Sequence, residues 1–317
     1  MKTLLVDQLP RGPEWDYEVK FDGFRALAIK QGARISLMSR NALSLADRYP
    51  TLIPALRQLA AKEAVLDGEI VAVDEAGRSA FQLLQSYQSP GHRQPPLRYY
   101  VFDLLNLEGR SLLHLPLTVR KELLEAVLRR APASIRFSGA VHAEAAKVLE
   151  GMRRQGLEGL IAKRHESIYE PGQRSGAWVK FKWSHDQEFV IGGYTPPKGS
   201  RPHFGAILVG YYEKGEFRFA SKVGSGFDHR TLASLYRRFQ ERRIDRCPFV
   251  NLPERIPGGI SRGEMRLCTW LRPKIVCQVR FTEWTRDGHL RHPLFLGVRD
   301  DKKPTEVVRE RPSSAVG

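Results

Sequence analysis

The sequence predicts an α+β protein of two domains, in which antiparallel sheets with flanking helices precede a small β-barrel. Its 317 residues are 42% hydrophobic, enough for two ordinary domains with separate cores. Strand-like and helix-like periodicities are interspersed over residues 1–186 without a regular strand–helix alternation. From residue 187 onward, short apolar runs are punctuated by Gly and Pro, as is typical of a barrel.

The first domain is predicted to span residues 1–186 and to begin with three strands. Residues 17–20, 25–30 and 34–39 are separated by Asp22-Gly23 and Gln31-Gly32, so an antiparallel meander is expected. Further strands are expected at 64–73, 99–105, 157–163 and 178–183, and helices at 50–61, 118–130 and 142–155.

The second domain is predicted to span residues 187–317. Strands are expected at 188–194, 205–212, 217–223 and 275–284, with one helix at 229–243. An OB-fold has this pattern of short strands and is a frequent nucleic-acid binder. Gly224-Ser225-Gly226 is interpreted as a hairpin turn.

The charge of the chain favours a polyanionic partner. Lys and Arg number 51 against 35 Asp and Glu, and residues 187–317 contribute 24 basic and 14 acidic residues, or +10 of the net +16. Apolar runs fall far short of the roughly 20 residues of a membrane span. Cys247, Cys268 and Cys277 form no C-x-x-C pair, so we expect a cytoplasmic protein with reduced thiols and no zinc site.

The sharpest local signal is Lys20-Phe21-Asp22-Gly23, a lysine at a strand end beside a tight turn. Alone, this tetrapeptide also fits a plain turn with a surface lysine. Six further motifs follow it. In chain order they are Ser39-Arg40-Asn41, Leu66-Asp67-Gly68-Glu69-Ile70-Val71, Tyr100-Val101-Phe102-Asp103, Glu158-Gly159-Leu160-Ile161-Ala162-Lys163, Trp178-Val179-Lys180-Phe181-Lys182 and Arg299-Asp300-Asp301-Lys302.

Together these motifs resemble the ordered motifs of the covalent nucleotidyltransferase superfamily, which comprises ATP-dependent DNA ligases, RNA ligases and mRNA capping enzymes. Within it the sequence is most similar to the ligase module of bacterial ligase D, which acts in non-homologous end joining. Residues 192–200, 222–227 and 281–293 carry that narrower resemblance. It covers almost the whole chain and implies a nucleotidyltransferase (adenylation) domain followed by an OB-fold DNA-binding domain.

The resemblance also implies a role for each site residue. Lys20 would be the nucleophile that takes up AMP, and Glu69 and Glu158 would be carboxylate ligands of Mg²⁺ or Mn²⁺. Glu18 would contact the adenine amino group, Phe102 would stack on adenine, and Lys163 would be a further phosphate ligand. The other nucleotide or phosphate contacts would be Arg25, Arg40, Glu69, Lys180, Lys182, Arg299 and Lys302.

Residue chemistry supports some of these roles independently. Lysine must be neutral to attack phosphorus, yet with a pKa near 10.4 only about one in a thousand is deprotonated at pH 7.5. Cationic neighbours lower a lysine pKa, and Lys180, Lys182 and a bound metal are the candidates. The spacing of Lys180 and Lys182 puts both on one strand face with Phe181 in the core, although an exposed edge strand shows the same pattern.

The remaining candidates have ordinary interpretations too. Hard Mg²⁺ takes one or two carboxylates plus phosphate oxygens and water, which suits Glu69 and Glu158, but a glutamate at a strand end can simply face solvent. An aromatic residue in a strand, such as Phe102, commonly belongs to the core.

The expected function is that of an ATP-dependent DNA ligase working through lysyl-AMP and adenylylated DNA, with DNA and a bacterial Ku-like end-binding protein as partners. Arg299 and Lys302 would orient pyrophosphate when the second domain closes. The alternatives are an RNA ligase or capping-type nucleotidyltransferase and a non-catalytic DNA-end-binding protein. Sealing assays with DNA and RNA substrates, and with ATP, GTP and NAD⁺ as nucleotides, distinguish the first alternative from a DNA ligase. A Lys20-dependent label from α-labelled ATP excludes the second.

Overall fold

The computed structural model describes residues 1–75, 77–79, 81–87, 94–141, 158–182, 185–197, 199–254 and 259–311. The chain divides into two compact units, Met1–Trp183 with Arg311–Gly317, and Ser184–Glu310. The helix predicted at 142–155 lies outside the described residues. Within the described ranges, no helix is long and apolar enough to cross a membrane.

The first unit contains two sheets. Its strands are β1 (Leu4–Leu5), β2 (Trp15–Val19), β3 (Phe24–Gln31), β4 (Arg34–Ser39), β5 (Glu63–Ala72), β6 (Leu97–Leu107), β7 (Arg110–Ser111), β8 (Ile135–Phe137), β9 (Gly159–Arg164) and β10 (Trp178–Lys182). The described helices are α1 (Leu52–Arg57), α2 (Phe81–Ser86) and α3 (Leu117–Leu128). The small sheet has the order β1-β10-β9-β2, and the large sheet has the order β4-β3-β5-β6-β7 with β8 on β6. The predicted α+β class is therefore confirmed.

The meander predicted for the first three strands is wrong. β3 and β4 form the expected hairpin, but β2 pairs with β9 in the small sheet. Residues 20–23 therefore cross from one sheet to the other. Gly23 permits this crossing because a Cβ there would lie 2.1 Å from the Ile70 carbonyl oxygen. Alternation of side chains located the strands, but it carries no information about which strands pair.

A buried ion pair fixes α3 against the large sheet. Arg120 of α3 donates from Nε and Nη2 to the two carboxylate oxygens of Asp103 at 2.8 and 2.9 Å, and both side chains are fully buried. Arg120 Nη1 also donates to the carbonyls of Leu115 and Ser167. The paired charges thus connect α3, β6 and the chain just after β9.

The second unit is an OB-fold barrel. Its strands are β11 (His185–Tyr194), β12 (Ile207–Glu213), β13 (Glu216–Val223), β14 (Arg243–Ile244), β15 (Thr269–Phe281) and β16 (Leu294–Val298), and its helices are α4 (His229–Gln240) and α5 (Arg262–Met265). The order is β13-β12-β11-β15-β14, with β16 also on β15. A parallel bridge between Ser225 and Leu294 joins the two edges of this sheet. The predicted barrel is confirmed.

Gly224-Ser225-Gly226 is not the predicted hairpin turn, because it leads from β13 into α4. Gly226 has a φ of 90°, and a Cβ there would lie 2.1 Å from the Phe295 carbonyl oxygen. Only glycine therefore lets residue 226 pack directly against the backbone of β16. The helix predicted at 229–243 ends at Gln240, because Arg243 pairs with Leu271 as part of β14.

We predict that Asp103→Asn lowers the free energy of unfolding by about 3–5 kcal/mol, because it leaves the Arg120 charge buried without its partner. Urea denaturation measures this change. Arg78→Ala is the control, since it breaks an exposed ion pair with Asp74 and should cost only about 0–1 kcal/mol. Equal losses in the two variants would contradict the structural role of the buried pair.

Candidate functional site

One face of the small sheet of the first unit carries the ionisable residues of the motifs, here called its polar face, and the opposite face packs into an apolar cluster. Residues opposite one another on antiparallel strands point to the same side, and Glu18, Ile161 and Lys180 form one such row across β2, β9 and β10. Lys163 and Trp178 form the next row on that face. The opposite face packs into an apolar cluster of Val6, Trp15, Tyr17, Ala162 and Val179, with Phe181 against it. The ionisable residues of three motifs therefore share one face.

Lys20 lies at the end of this sheet, next to Glu158. Its backbone N–H donates to the Gly159 carbonyl at 3.0 Å, which extends the pairing of β2 with β9 by one residue. Lys20 Nζ forms an ion pair with Glu158 Oε1, with side-chain exposures of 17% and 7%. The other oxygen, Glu158 Oε2, is buried and has no hydrogen-bond partner within the described ranges. The group nearest the predicted nucleophile is thus an anion, whereas the sequence suggested cations.

Gly159 makes this arrangement possible. A Cβ at this position would lie 2.0 Å from the Phe181 carbonyl oxygen on the neighbouring strand. Any larger residue would push β10 away from β9, and with it Lys182, which pairs with Gly159 in register. The Glu-Gly sequence therefore sets both the position of Glu158 and the approach of β10.

Glu18 is buried among cations. Lys121 and Lys163 both form ion pairs with its Oε1, at 2.6 and 2.9 Å, and the Ser138 hydroxyl donates to its Oε2 at 3.1 Å. Burial alone would raise the pKa of Glu18, but the ammonium groups of Lys121 and Lys163 outweigh burial and lower it. Glu18 is therefore an ionised carboxylate that can only accept hydrogen bonds.

Lys121 and Ser138 were missed in the sequence analysis. Lys121 lies on α3 in the same stripe as the buried Leu117, Leu124 and Leu128. A lysine on the apolar face of a helix indicates a buried acidic partner. The helical spacing of Lys121 from these leucines could therefore have identified it as a site residue. Ser138 offers no comparable signal in the sequence.

Lys163 lies beneath aromatic rings. Its Nζ is 4.5 Å from the centre of the Phe102 ring and 4.2 Å from that of Trp178. Burial lowers the pKa of Lys163 to about 8, against the opposing effect of Glu18. The ammonium group is thus occupied by Glu18 and two rings, which gives no support to its interpretation as a phosphate ligand.

Arg25 is held by Asp67 and also lies near Phe102. Its Nε and Nη2 donate to the two oxygens of the buried Asp67 at 3.0 and 2.5 Å, and its guanidinium lies 5.3 Å from the Phe102 ring centre. The Tyr169 hydroxyl donates to Asp67 at 2.8 Å. Glu69 faces Arg25 in register across β5 and β3. Asp67 and Tyr169 are site residues that the motifs did not single out as partners of Arg25.

The other predicted residues of the first unit lie on strands β5 and β10 and in one turn. Arg40 is exposed in the turn after β4, while Glu69 on β5 and Lys180 and Lys182 on β10 are half-buried. The first unit therefore brings Lys20, Glu158 and Lys182 to one end of the small sheet.

In the second unit, Arg299 and Lys302 each have an acidic partner. Arg299 donates from Nε and Nη2 to the two oxygens of Asp301, both at 2.9 Å, and from Nη1 to Gln278 Oε1 at 3.0 Å. Lys302 Nζ lies 3.0 Å from Glu188 Oε1. Both cations are therefore held by residues of their own unit.

The carboxylates of the first unit are the candidate ligands of a divalent metal. In the part of the chain that the structure describes, no group of three or more His, Cys, Asp or Glu side chains could hold an ion. Mg²⁺ does not need such a cluster, because it commonly binds one or two carboxylates and takes its other ligands from phosphate and water. The buried Glu158 Oε2, which lacks a hydrogen-bond partner, fits a metal ligand of that kind.

Two family profiles match the sequence. The ATP dependent DNA ligase domain matches residues 6–182, and the ATP dependent DNA ligase C terminal region matches residues 200–302. The multifunctional non-homologous end joining protein LigD of Pseudomonas aeruginosa is 39% identical over 98% of this chain and 36% of its own length. LigD of Mycobacterium tuberculosis is 36% identical over 95% of this chain and 38% of its own length. The chain thus spans little more than a third of these curated relatives.

A solved structure is similar over nearly the full chain. Mycobacterial DNA ligase D complexed with ATP and MES superposes with a TM-score of 0.66 at 32% identity, covering 97% of this chain and 98% of that one. The similarity extends over both units, which agrees with a nucleotidyltransferase domain followed by an OB-fold.

We predict that the stability contributed by Lys163 depends on pH. Its pKa is about 8 in the folded chain and about 10.4 when unfolded, so between these values the unfolded chain binds more protons at this site. The unfolding free energy of the wild type, minus that of Lys163→Met, should therefore rise by roughly 1.4 kcal/mol per pH unit from about pH 8 to 10. A difference that stays constant over this window would contradict the burial of a charged Lys163.

Proposed function

The chain belongs to the family of ATP-dependent DNA ligases, and on this premise we propose that it seals DNA strand breaks through a lysyl-AMP formed on Lys20. The observation that carries the proposal is the placement of Lys20 at the crossover between two sheets, with its Nζ against Glu158. The substrates would be ATP and duplex DNA with a 3′-hydroxyl and a 5′-phosphate at the break.

In the first step, Lys20 Nζ attacks the α-phosphorus of ATP. A nitrogen–phosphorus bond forms, and the bond from the α-phosphorus to the bridging oxygen breaks, so that pyrophosphate leaves. The attacking amine must first lose a proton, and Glu158 Oε1, with which it is paired, is positioned to accept it. The ion pair therefore places a proton acceptor beside the attacking nitrogen, in addition to the cationic neighbours that the sequence suggests.

Glu158 Oε2, together with Glu69, would hold Mg²⁺ or Mn²⁺. A bound divalent ion would add positive charge at the phosphates, where negative charge develops. Lys180 and Lys182 are proposed to bind the same phosphates from β10, because they share the polar face of the small sheet.

The base is proposed to bind near Glu18 and Phe102. Since Glu18 is ionised and can only accept hydrogen bonds, it suits the amino group at position 6 of adenine and opposes the carbonyl oxygen that guanine carries there. Lys121, Lys163 and Ser138 keep this carboxylate in place. The arrangement favours ATP over GTP, and so disfavours the capping-type alternative.

In the second step, a 5′-phosphate oxygen of the DNA attacks the AMP phosphorus, and the bond to Lys20 Nζ breaks with return of a proton to the amine. In the third step, the 3′-hydroxyl attacks the activated 5′-phosphate and releases AMP. AMP makes one phosphate oxygen a good leaving group, so a difficult condensation is divided into easier transfers. Arg25 and Arg40 are proposed to contact the nucleotide and the 5′-phosphate.

We further propose that residues 1–186 are the adenylation domain and residues 187–317 the DNA-binding domain. Arg299 and Lys302 would act on the departing pyrophosphate during the first step, after exchanging their acidic partners for phosphate. Because curated relatives function in non-homologous end joining, a Ku-like end-binding protein is the proposed protein partner.

Glu158→Gln should slow self-adenylylation by about 100-fold to 10,000-fold, the usual loss when a proton acceptor is removed. Transfer of label from α-labelled ATP to the protein measures the rate. Lys62→Ala removes an exposed lysine of the same unit and serves as the control. An effect of Glu158→Gln no larger than that of the control would rule out the assigned role.

Lys302→Ala should impair self-adenylylation more than the sealing of DNA that already carries AMP, because only the first step releases pyrophosphate. Lys303→Ala, an exposed neighbour, is the matched control and should leave both rates within about twofold. The two steps are assayed separately, with labelled ATP and with pre-adenylylated nicked DNA. Equal loss in both steps would reject the assignment to pyrophosphate.

A further inference from the structure

One segment of the second unit, outside the proposed nucleotide site, is densely basic. Residues 229–246 contain six arginines and only two acidic residues, Glu241 and Asp245. They form α4, the turn after it and β14. The arginines are Arg230, Arg237, Arg238, Arg242, Arg243 and Arg246.

The buried apolar side chains of α4 fix the orientation of the helix, and its basic face is therefore exposed to solvent. Leu232, Leu235 and Phe239 are buried in the barrel core at 4%, 2% and 0% exposure. Asp228 caps the helix by accepting a hydrogen bond from the Thr231 N–H at 2.7 Å. The face opposite the three apolar residues, which includes Arg237, therefore remains exposed.

Several charges in this segment are already compensated. Arg238 forms an ion pair with Asp300 at 2.7 Å, and Arg242 forms one with Glu241 at 3.4 Å. The charge of Arg230 interacts with the carboxylate of Asp228, the N-cap residue of α4. Arg237 and Arg243, in contrast, form no ion pair within the described residues, and Asp245 is not paired with either of them. These two arginines thus carry uncompensated positive charge.

Arg243 is held in place by neutral groups. Its Nη2 donates to the Tyr194 hydroxyl at 2.9 Å and to the Tyr236 hydroxyl at 3.3 Å. An arginine fixed by a carboxylate loses most of its attraction for an anion. Arg243 keeps its charge, and its oriented guanidinium still has N–H donors on Nε and Nη1 that can bind a phosphate oxygen.

His203 extends this surface. Its ring stacks on that of Tyr236, with 5.0 Å between centres and an angle of 29°. His203 is exposed and has a φ of 70°, a conformation that non-glycine residues adopt uncommonly. The imidazole thereby adds nitrogen atoms near Tyr236, whose hydroxyl accepts from Arg243 and which directly precedes the exposed Arg237 in α4.

We propose that Arg237, Arg243, Tyr236 and His203, here named the α4 surface, bind the sugar–phosphate backbone of duplex DNA beside the break. The proposal rests on the proposed function, which makes DNA the substrate. Contacts to phosphate position a protein on DNA without reading its sequence, as an enzyme that seals any break requires. Oriented arginines without acidic partners are the groups best suited to such contacts.

The test uses the full chain and a labelled nicked duplex, with affinity measured at several salt concentrations. The double variant Arg237→Gln/Arg243→Gln should raise Kd about 10-fold at roughly 0.1 M salt, and should reduce the slope of log K against log salt by about 1.8, since each lost phosphate contact removes about 0.9. Arg243→Lys keeps the charge but loses the guanidinium that Tyr194 and Tyr236 orient, so its slope should match the wild type while its Kd rises.

Arg218→Gln is the matched control. Arg218 belongs to the same unit, but its guanidinium is compensated by Glu213 and Glu216, so its loss should leave Kd and slope unchanged. A double variant that behaves like this control would overturn the proposal. If the double variant does not fold, Arg237→Gln alone changes only an exposed helix position and should give half the change in slope.

The two proposals fail in distinguishable ways. A wild-type chain that takes no label from α-labelled ATP overturns the proposed function, because that step needs no DNA. A wild-type chain that takes up label, but binds nicked duplex no better than the double variant, overturns the α4 surface and leaves the proposed function standing.

Discussion

The crossing of the chain between the two sheets of the first unit is the constraint on which the candidate site depends. β2 ends against β9, and after four intervening residues β3 begins in the other sheet. The crossing is possible because Gly23 and Gly159 let backbones approach within distances that a Cβ would prevent. It leaves Lys20 at an open end of the small sheet with Glu158 as its partner. The positions of the proposed nucleophile, the proposed proton acceptor and the two β10 lysines follow from that one geometry.

Buried charge is the second organising feature. Glu18, Lys121 and Lys163 are three ionisable groups that are largely shielded from water. Removing their charges from water costs desolvation free energy, and the ion pairs between them offset this cost. Hydrophobic residues of similar size would avoid this cost. The proposed role of Glu18 in selecting the base would give these buried charges a function. Arg120 and Asp103 bury a second pair, and this pair has a purely structural role in holding α3 on the sheet.

Much of the fold was accessible from the sequence. Alternation located β4 at its observed bounds, and the change to short strands punctuated by Gly and Pro indicated a second unit with a barrel. Pairing between distant segments was not accessible, so β2 was placed beside β3 and the Gly224-Ser225-Gly226 segment was taken for a hairpin. The site shows the same limit. Motifs identified Lys20 and Glu158 separately, but their ion pair joins residues far apart in the chain, as do the partners of Glu18 and Arg25. Such contacts depend on tertiary packing, which local periodicity does not encode.

The central claim is that Lys20 carries AMP covalently and passes it to DNA. The direct measurement is to incubate the wild-type chain with ATP and a divalent metal, digest it and map the AMP by mass spectrometry before and after adding nicked duplex. We expect AMP on the peptide containing Lys20, its disappearance when nicked DNA is added, and no AMP on the same peptide of Lys20→Arg. AMP on another residue, or AMP on Lys20 that persists in the presence of nicked DNA, would contradict the account.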